Sequence, residues 1–181
     1  MRIVLTGSHS TGKTSLANAV RDALAAKGVT DVAMVREVGR DLIESGVPLN
    51  EDITSDACVR YITKQLQRER ACGNRHVISD RSLLDLLAYV LVNDDARTPA
   101  SYRAMLEEIV HVESLRYDQY VFLPVEFALM PDPVRPAGEP YRQAVSDMIR
   151  RLLAQFGLPV LKIRGSLEER VAQVAALFDG T

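Results

Sequence analysis

Residues 7–14 read Gly7-Ser8-His9-Ser10-Thr11-Gly12-Lys13-Thr14 and fit the pattern G-x-x-x-x-G-K-[ST] at every constrained position. A chain of this length shows that pattern by accident in fewer than about one sequence in a hundred. Two glycines let the backbone fold tightly around an anion, so that successive N–H groups point inward at the start of the following helix. A lysine at the seventh position adds full positive charge near the β and γ phosphates, and the hydroxyl at the eighth is the usual inner ligand of Mg²⁺. The pattern therefore points to a nucleoside triphosphate, with Gly7, Ser8, His9, Ser10, Thr11, Gly12, Lys13, Thr14 and Ser15 as its candidate binding residues.

The flanks agree. Arg2-Ile3-Val4-Leu5-Thr6 is a short β-branched, apolar run that ends in the loop. Ser15 to Lys27 then predicts a helix with Leu16, Val20, Ala23 and Leu24 on one face and Gly28 as its stop. Further along, Val32–Val35, His76–Ser79, Tyr120–Leu123 and Pro159–Ile163 are strand candidates. Between them, helices are expected near Asp41–Ile43, from Ser55 to Cys72, from Ser82 to Val92 and from Tyr102 to Arg116. Ser166 with Glu169 three residues on is a capping box that opens a last helix. Five short apolar strands alternating with helices predict an α/β fold, a mainly parallel sheet covered on both faces, with ligands at the carboxyl ends of the strands.

With 181 residues, 47% of them hydrophobic, the chain fits a single domain over residues 1–181. A formal net charge of −2 gives no sign of bulk electrostatic capture of nucleic acid or of an anionic membrane. Met1 leads straight into the first strand and no apolar stretch has the length of a membrane span, so a cytoplasmic protein with no membrane partner is expected. Cys58 and Cys72 lie in one predicted helix, roughly 20 Å apart, too far for a disulfide.

Residues that follow strands are the candidates for chemistry. Glu37, after the second strand, suits a carboxylate that accepts the proton of an attacking hydroxyl, and suits equally an exposed acid at a helix start. Asp80 stands where a carboxylate reaches Mg²⁺ directly or through water, and is also placed to cap the next helix. Arg81 puts a permanent, planar charge beside it. The segment from Met130 to Tyr141 holds Pro131, Pro133, Pro136 and Pro140 around Arg135, with Arg142 just beyond. That proline content excludes a regular helix and leaves either an arginine-bearing lid or a plain surface connection. Tyr61, Lys64, Gln65 and Arg68 share one helix face, bordering an acceptor site or simply solvated. Leu83, Leu84, Leu86, Leu87 and Val90 read as core.

With these residues together, the chain resembles the small P-loop kinases of the nucleoside and nucleotide kinase superfamily. More narrowly, it is similar to the ATPase-domain family grouped with the nicotinamide riboside kinase domain of bifunctional NAD-biosynthesis proteins. The stretch Arg36-Glu37-Val38-Gly39-Arg40-Asp41-Leu42, the triplet Asp80-Arg81-Ser82 and the loop Pro131-Asp132-Pro133-Val134-Arg135 carry that narrower resemblance. It implies a P-loop NTPase sandwich with a five-stranded parallel sheet of order 2-3-1-4-5, and ATP- and Mg²⁺-dependent transfer of phosphate to a hydroxyl of a small nucleoside-like acceptor. It also implies roles: Lys13, Glu37, Asp80, Arg81 and Arg135 in catalysis, Thr14 and Asp80 at the metal, Arg135 and Gly165 at the nucleotide. The N-K-x-D motif of a GTPase and the serine-glycine signature of a transporter ATPase are absent. A hydroxyl of nucleic acid as acceptor, a nucleotide-switched binding module without an acceptor, and a homodimer remain open alternatives.

Overall fold

The computed structural model describes residues 1–73, 75–93, 98–128 and 138–179. Its five strands are β1 (Arg2–Thr6), β2 (Val32–Val35), β3 (His76–Asp80), β4 (Gln119–Phe122) and β5 (Val160–Lys162). They form one sheet of order β2-β3-β1-β4-β5 in which every pairing is parallel. The expected 2-3-1-4-5 order is thus observed. Among the described residues, seven α-helices connect or follow the strands: α1 (Lys13–Ala26), α2 (Val38–Glu44), α3 (Ser55–Ala71), α4 (Leu83–Asn93), α5 (Ala100–Ser114), α6 (Glu139–Gln155) and α7 (Leu167–Ala175).

Alternation along β1 divides the core into two layers. Ile3 and Leu5 point to one face, where they meet Leu16, Val20 and Leu24 of α1 and Val174 of α7. Val4 points to the other, into a larger cluster with Leu84 and Leu87 of α4, Leu106 of α5 and Ile149 of α6. Burial on both faces explains why the central strands read as continuous apolar runs. β5 departs from that expectation: it is three residues long, Val160 is 43% exposed, and it closes the sheet as an edge.

α6 departs further. The proline-rich segment does not exclude a helix as far as Tyr141, because α6 begins at Glu139 and carries Pro140 in its first turn. An N–H has no helical partner there, so its loss costs nothing. Val145, Ile149, Leu152 and Leu153 then recur at helical spacing and are buried. Among the described residues no helix is long and apolar enough to cross a membrane.

Candidate functional site

The carboxyl ends of β1, β2 and β3 converge on residues 7–14. Gly7 adopts φ 146°, and a Cβ there would stand 2.5 Å from the Leu123 carbonyl oxygen, so this bend admits only glycine. α1 starts at Lys13 with no side-chain cap on its first turn, which leaves its N–H groups open to an anion. The Lys13 ammonium is folded back on the loop, donating to the carbonyls of Gly7 at 2.9 Å and Ser8 at 2.5 Å and to Thr11 Oγ1 at 3.1 Å. Burial, with Arg81 close by, lowers its pKa to about 7, although Asp80, Asp85 and Glu37 act in the other direction. A phosphate would add negative charge beside this lysine and favour its charged form.

Three arginines complete the outer side of the loop. Arg81 Nη1 donates to the Gly7 carbonyl at 3.0 Å. From α6, Arg142 donates through Nε to the His9 carbonyl and through Nη2 to that of Ser10, both at 3.0 Å. From α7, Arg170 Nη1 donates to the Thr11 carbonyl at 3.2 Å, while its Nε holds the Gly165 carbonyl at 2.8 Å. Every carbonyl from Gly7 to Thr11 thus accepts from a cationic side chain. With these carbonyls held by side chains and the Gly7 N–H turned to Asp85, the N–H groups that follow Gly7 are left to face the ligand.

Thr14 and Asp80 meet as expected: Thr14 Oγ1 donates to Asp80 Oδ2 at 2.6 Å. The second carboxylate oxygen, Asp80 Oδ1, is buried without a hydrogen-bond partner among the described residues. A hydroxyl beside a carboxylate with an orphaned lone pair fits Mg²⁺, which keeps waters and takes one or two protein ligands plus phosphates. Burial raises the Asp80 pKa, as does Glu37, while Lys13 opposes them.

Glu37 stands at the entry to α2, where its side chain makes no capping hydrogen bond, and Arg81 stands in the left-handed region at φ 78°. Their side chains pair, Arg81 Nε to Glu37 Oε1, at 2.9 Å. Both line a pocket with His9, Gly39, Leu49, Tyr61, Asp85 and Tyr89. Of the shared helix face, Tyr61 reaches this pocket, whereas Gln65 turns into a buried network with Glu69 and Lys64 and Arg68 bind Asp41. His9 is buried, its Nδ1 3.3 Å from the Tyr89 hydroxyl, so the phosphate loop itself forms one wall. His76 and His111 pack against Phe178 and Phe156, away from the site.

Asp85 is a site residue that the leucine run concealed. Its Oδ1 accepts from Gly7 N at 3.4 Å and from Arg81 Nη1 at 3.3 Å, and its Oδ2 from Ser82 N at 3.1 Å. Phe127 and Ala128 border the mouth of the loop beside Ser10, Gly12, Thr14 and Ser15, and the Arg170 guanidinium lies 4.8 Å from the Phe127 ring centre. Arg135 lies outside the described residues.

Fold and site together define a P-loop protein built like the nucleoside and nucleotide kinases. A family model described as AAA domain, AAA_28, matches residues 2–170, and the chain belongs to that family. No curated protein sequence matches it. NadR in complex with NR aligns with TM-score 0.75 at 18% identity, over 99% of this chain and 51% of that one. The chain spans about half the length of NadR. Deoxyadenosine kinase from M. mycoides with bound dATP gives TM-score 0.74 at 14% identity, covering 99% and 100% of the two chains. Thymidylate kinase from Ehrlichia chaffeensis gives 0.69 at 16%, covering 98% and 97%.

Proposed function

We propose that the protein is an ATP-dependent phosphotransferase that moves the γ-phosphoryl group to a hydroxyl of a small nucleoside-like acceptor. The observation that carries this reading is the shared wall of two sites. His9 and Arg81 contribute both to the phosphate loop's surroundings and to the pocket in which Arg81 fixes the Glu37 carboxylate. A hydroxyl held beside Glu37 therefore lies next to the place where the terminal phosphate is expected. Apolar walls at Leu49, Ile53 and Tyr61 suit a compact acceptor better than a polymer. The kinases that share the fold act in the same sense as support.

In this reading Lys13 and the N–H groups of residues 8–14 bind the phosphates. Thr14 and Asp80 would hold Mg²⁺, which would supply neutralisation of charge on the transferring group. Glu37 takes the proton of the acceptor hydroxyl as its oxygen bonds to the γ-phosphorus and the bond to the β-phosphate oxygen breaks, releasing ADP. Glu37 is preferred to Asp80 as base because Asp80 is engaged by Thr14 and does not line the acceptor pocket. Arg135 is the proposed lid arginine.

The test is ADP release against a panel of nucleosides, nicotinamide riboside and nucleic acids. Acceptor-stimulated turnover by the native chain, cut by about 100-fold or more in Glu37→Gln with nucleotide binding preserved, is the expected result. Full activity in that variant moves the role of base to Asp80. Turnover that no acceptor stimulates favours a nucleotide-switched module instead.

A further inference from the structure

Seven of the nine described glycines have a positive φ that an L-residue resists. Gly138 precedes α6. Gly39 is different: it is the second residue of α2, its backbone is ordinary helix, and alanine would hold that helix better. No backbone constraint accounts for glycine here.

The surroundings do. A Cβ on Gly39 would sit 3.6 Å from Tyr61 Cε2, 3.8 Å from Leu49 Cδ1 and 4.0 Å from Glu37 Oε1, all ordinary contact distances. The fold has room for that methyl group. Tyr61, Leu49, Glu37 and Gly39 all line the same pocket, so the methyl would occupy space in the pocket and displace no protein atom. The absent side chain is thus room kept for a ligand, which meets the backbone of α2 directly.

We infer that Gly39 is the specificity-determining residue that admits the ring bearing the accepting hydroxyl, an inference that rests on the kinase reading above. The polar atom nearest the vacant Cβ position is Glu37 Oε1, an oxygen of the carboxylate assigned to that hydroxyl. Whatever group passes Gly39 is therefore joined to the reacting oxygen through few bonds. Tyr61 and Leu49 flank the same space with apolar surface, which suits the face of a sugar ring.

Steady-state kinetics of the full chain and its Gly39→Ala variant, with the best nucleoside from the acceptor panel, test this. The variant is expected to lose about tenfold or more in kcat/KM for the nucleoside, since one surplus methyl group in a fitted pocket discriminates on that scale. Its KM for ATP should stay within twofold and its Tm should equal or exceed that of the parent. Nucleoside kcat/KM within twofold of the parent, while Glu37→Gln still abolishes turnover, overturns this inference alone. A lower Tm or a weakened KM for ATP also overturns it, because the methyl group then disturbs the fold and not the ligand. Absence of nucleoside-dependent turnover in the parent overturns both this inference and the kinase reading.

Discussion

Arg142 Nε donates to the His9 carbonyl oxygen at 3.0 Å, across 133 positions of sequence, from a guanidinium whose side chain is wholly buried. The same group also holds the Ser10 and Phe127 carbonyls, and its carboxylate partner, Glu139, is 55% exposed. Arg142 is therefore a structural cation under the loop, with its donors spent on backbone. It is neither of the two things its proline-rich flank left open, a free lid arginine or a solvated surface one.

Arg142→Met leaves the His9 and Ser10 carbonyls without these donors. Each buried unpaired acceptor costs on the order of 1–3 kcal/mol, so thermal unfolding should show a loss of about 3 kcal/mol. Relaxation of the loop should weaken ATP binding at least about tenfold in calorimetric titration. Arg142→Lys keeps the charge but not the fork, and an intermediate loss is expected. Unchanged ATP affinity in the destabilised Met variant would show that the loop keeps its shape without Arg142.

Asp85→Asn probes the opposite side of the loop. The wild-type carboxylate accepts from three donors, at Gly7, Arg81 and Ser82, in a fully buried position. Burial raises its pKa, while Arg81 and Lys13 favour the charged form. The amide supplies one acceptor oxygen and turns an NH₂ group toward N–H donors. Removing one member of such a buried arrangement costs about 3 kcal/mol or more, visible as a lower midpoint in denaturant. Kinetics should deteriorate as well, because Arg81 loses one of its two carboxylate partners, Glu37 being the other.

Local signals are enough for most elements and for the meeting of Thr14 with Asp80 beside residues 7–14. Val32–Val35 and the capping box at Ser166 and Glu169 are observed where the residue pattern places them. What the pattern hid has physical reasons. Pro140 masked the start of α6 because proline is tolerated in a first helical turn. Asp85 is hidden by its neighbours Leu83, Leu84, Leu86 and Leu87, which are core; its signal is one charge in an otherwise apolar run. Arg142 and Arg170 reach the loop from 132 to 159 residues away, a relationship that only the sheet order creates.

Thiol chemistry offers an independent check on packing. Burial pushes the Cys58 thiol up to about 11, and Cys72 shifts upward for the same reason. Both are free and buried. At pH 8 in native buffer, iodoacetamide should add no mass within the time that labels a free thiol fully, and two labels should appear on unfolding. Rapid native labelling would contradict the packing of α3.

Asp41 gives the fold a dependence on pH. Its carboxylate, on α2, accepts from Arg68 of α3 and lies 3.5 Å from Lys64 of the same helix, so it fastens the segment that carries Glu37. The Arg68 hydrogen bond is the largest influence and holds the Asp41 pKa below the usual 3.8. A depressed carboxyl stabilises the fold above its unfolded value, and that stabilisation is lost as pH falls through the folded value. Side-chain exposure of 38% means that water screens the pair, which limits its worth to about 1 kcal/mol or less. Asp41→Asn should therefore lower Tm modestly at pH 7, and the gap from the parent should close as pH drops below 3.8. The gap should also shrink in about 1 M salt, where the Debye length falls to roughly 3 Å. A gap that survives both acid and salt would assign the effect of Asp41 to packing, not charge.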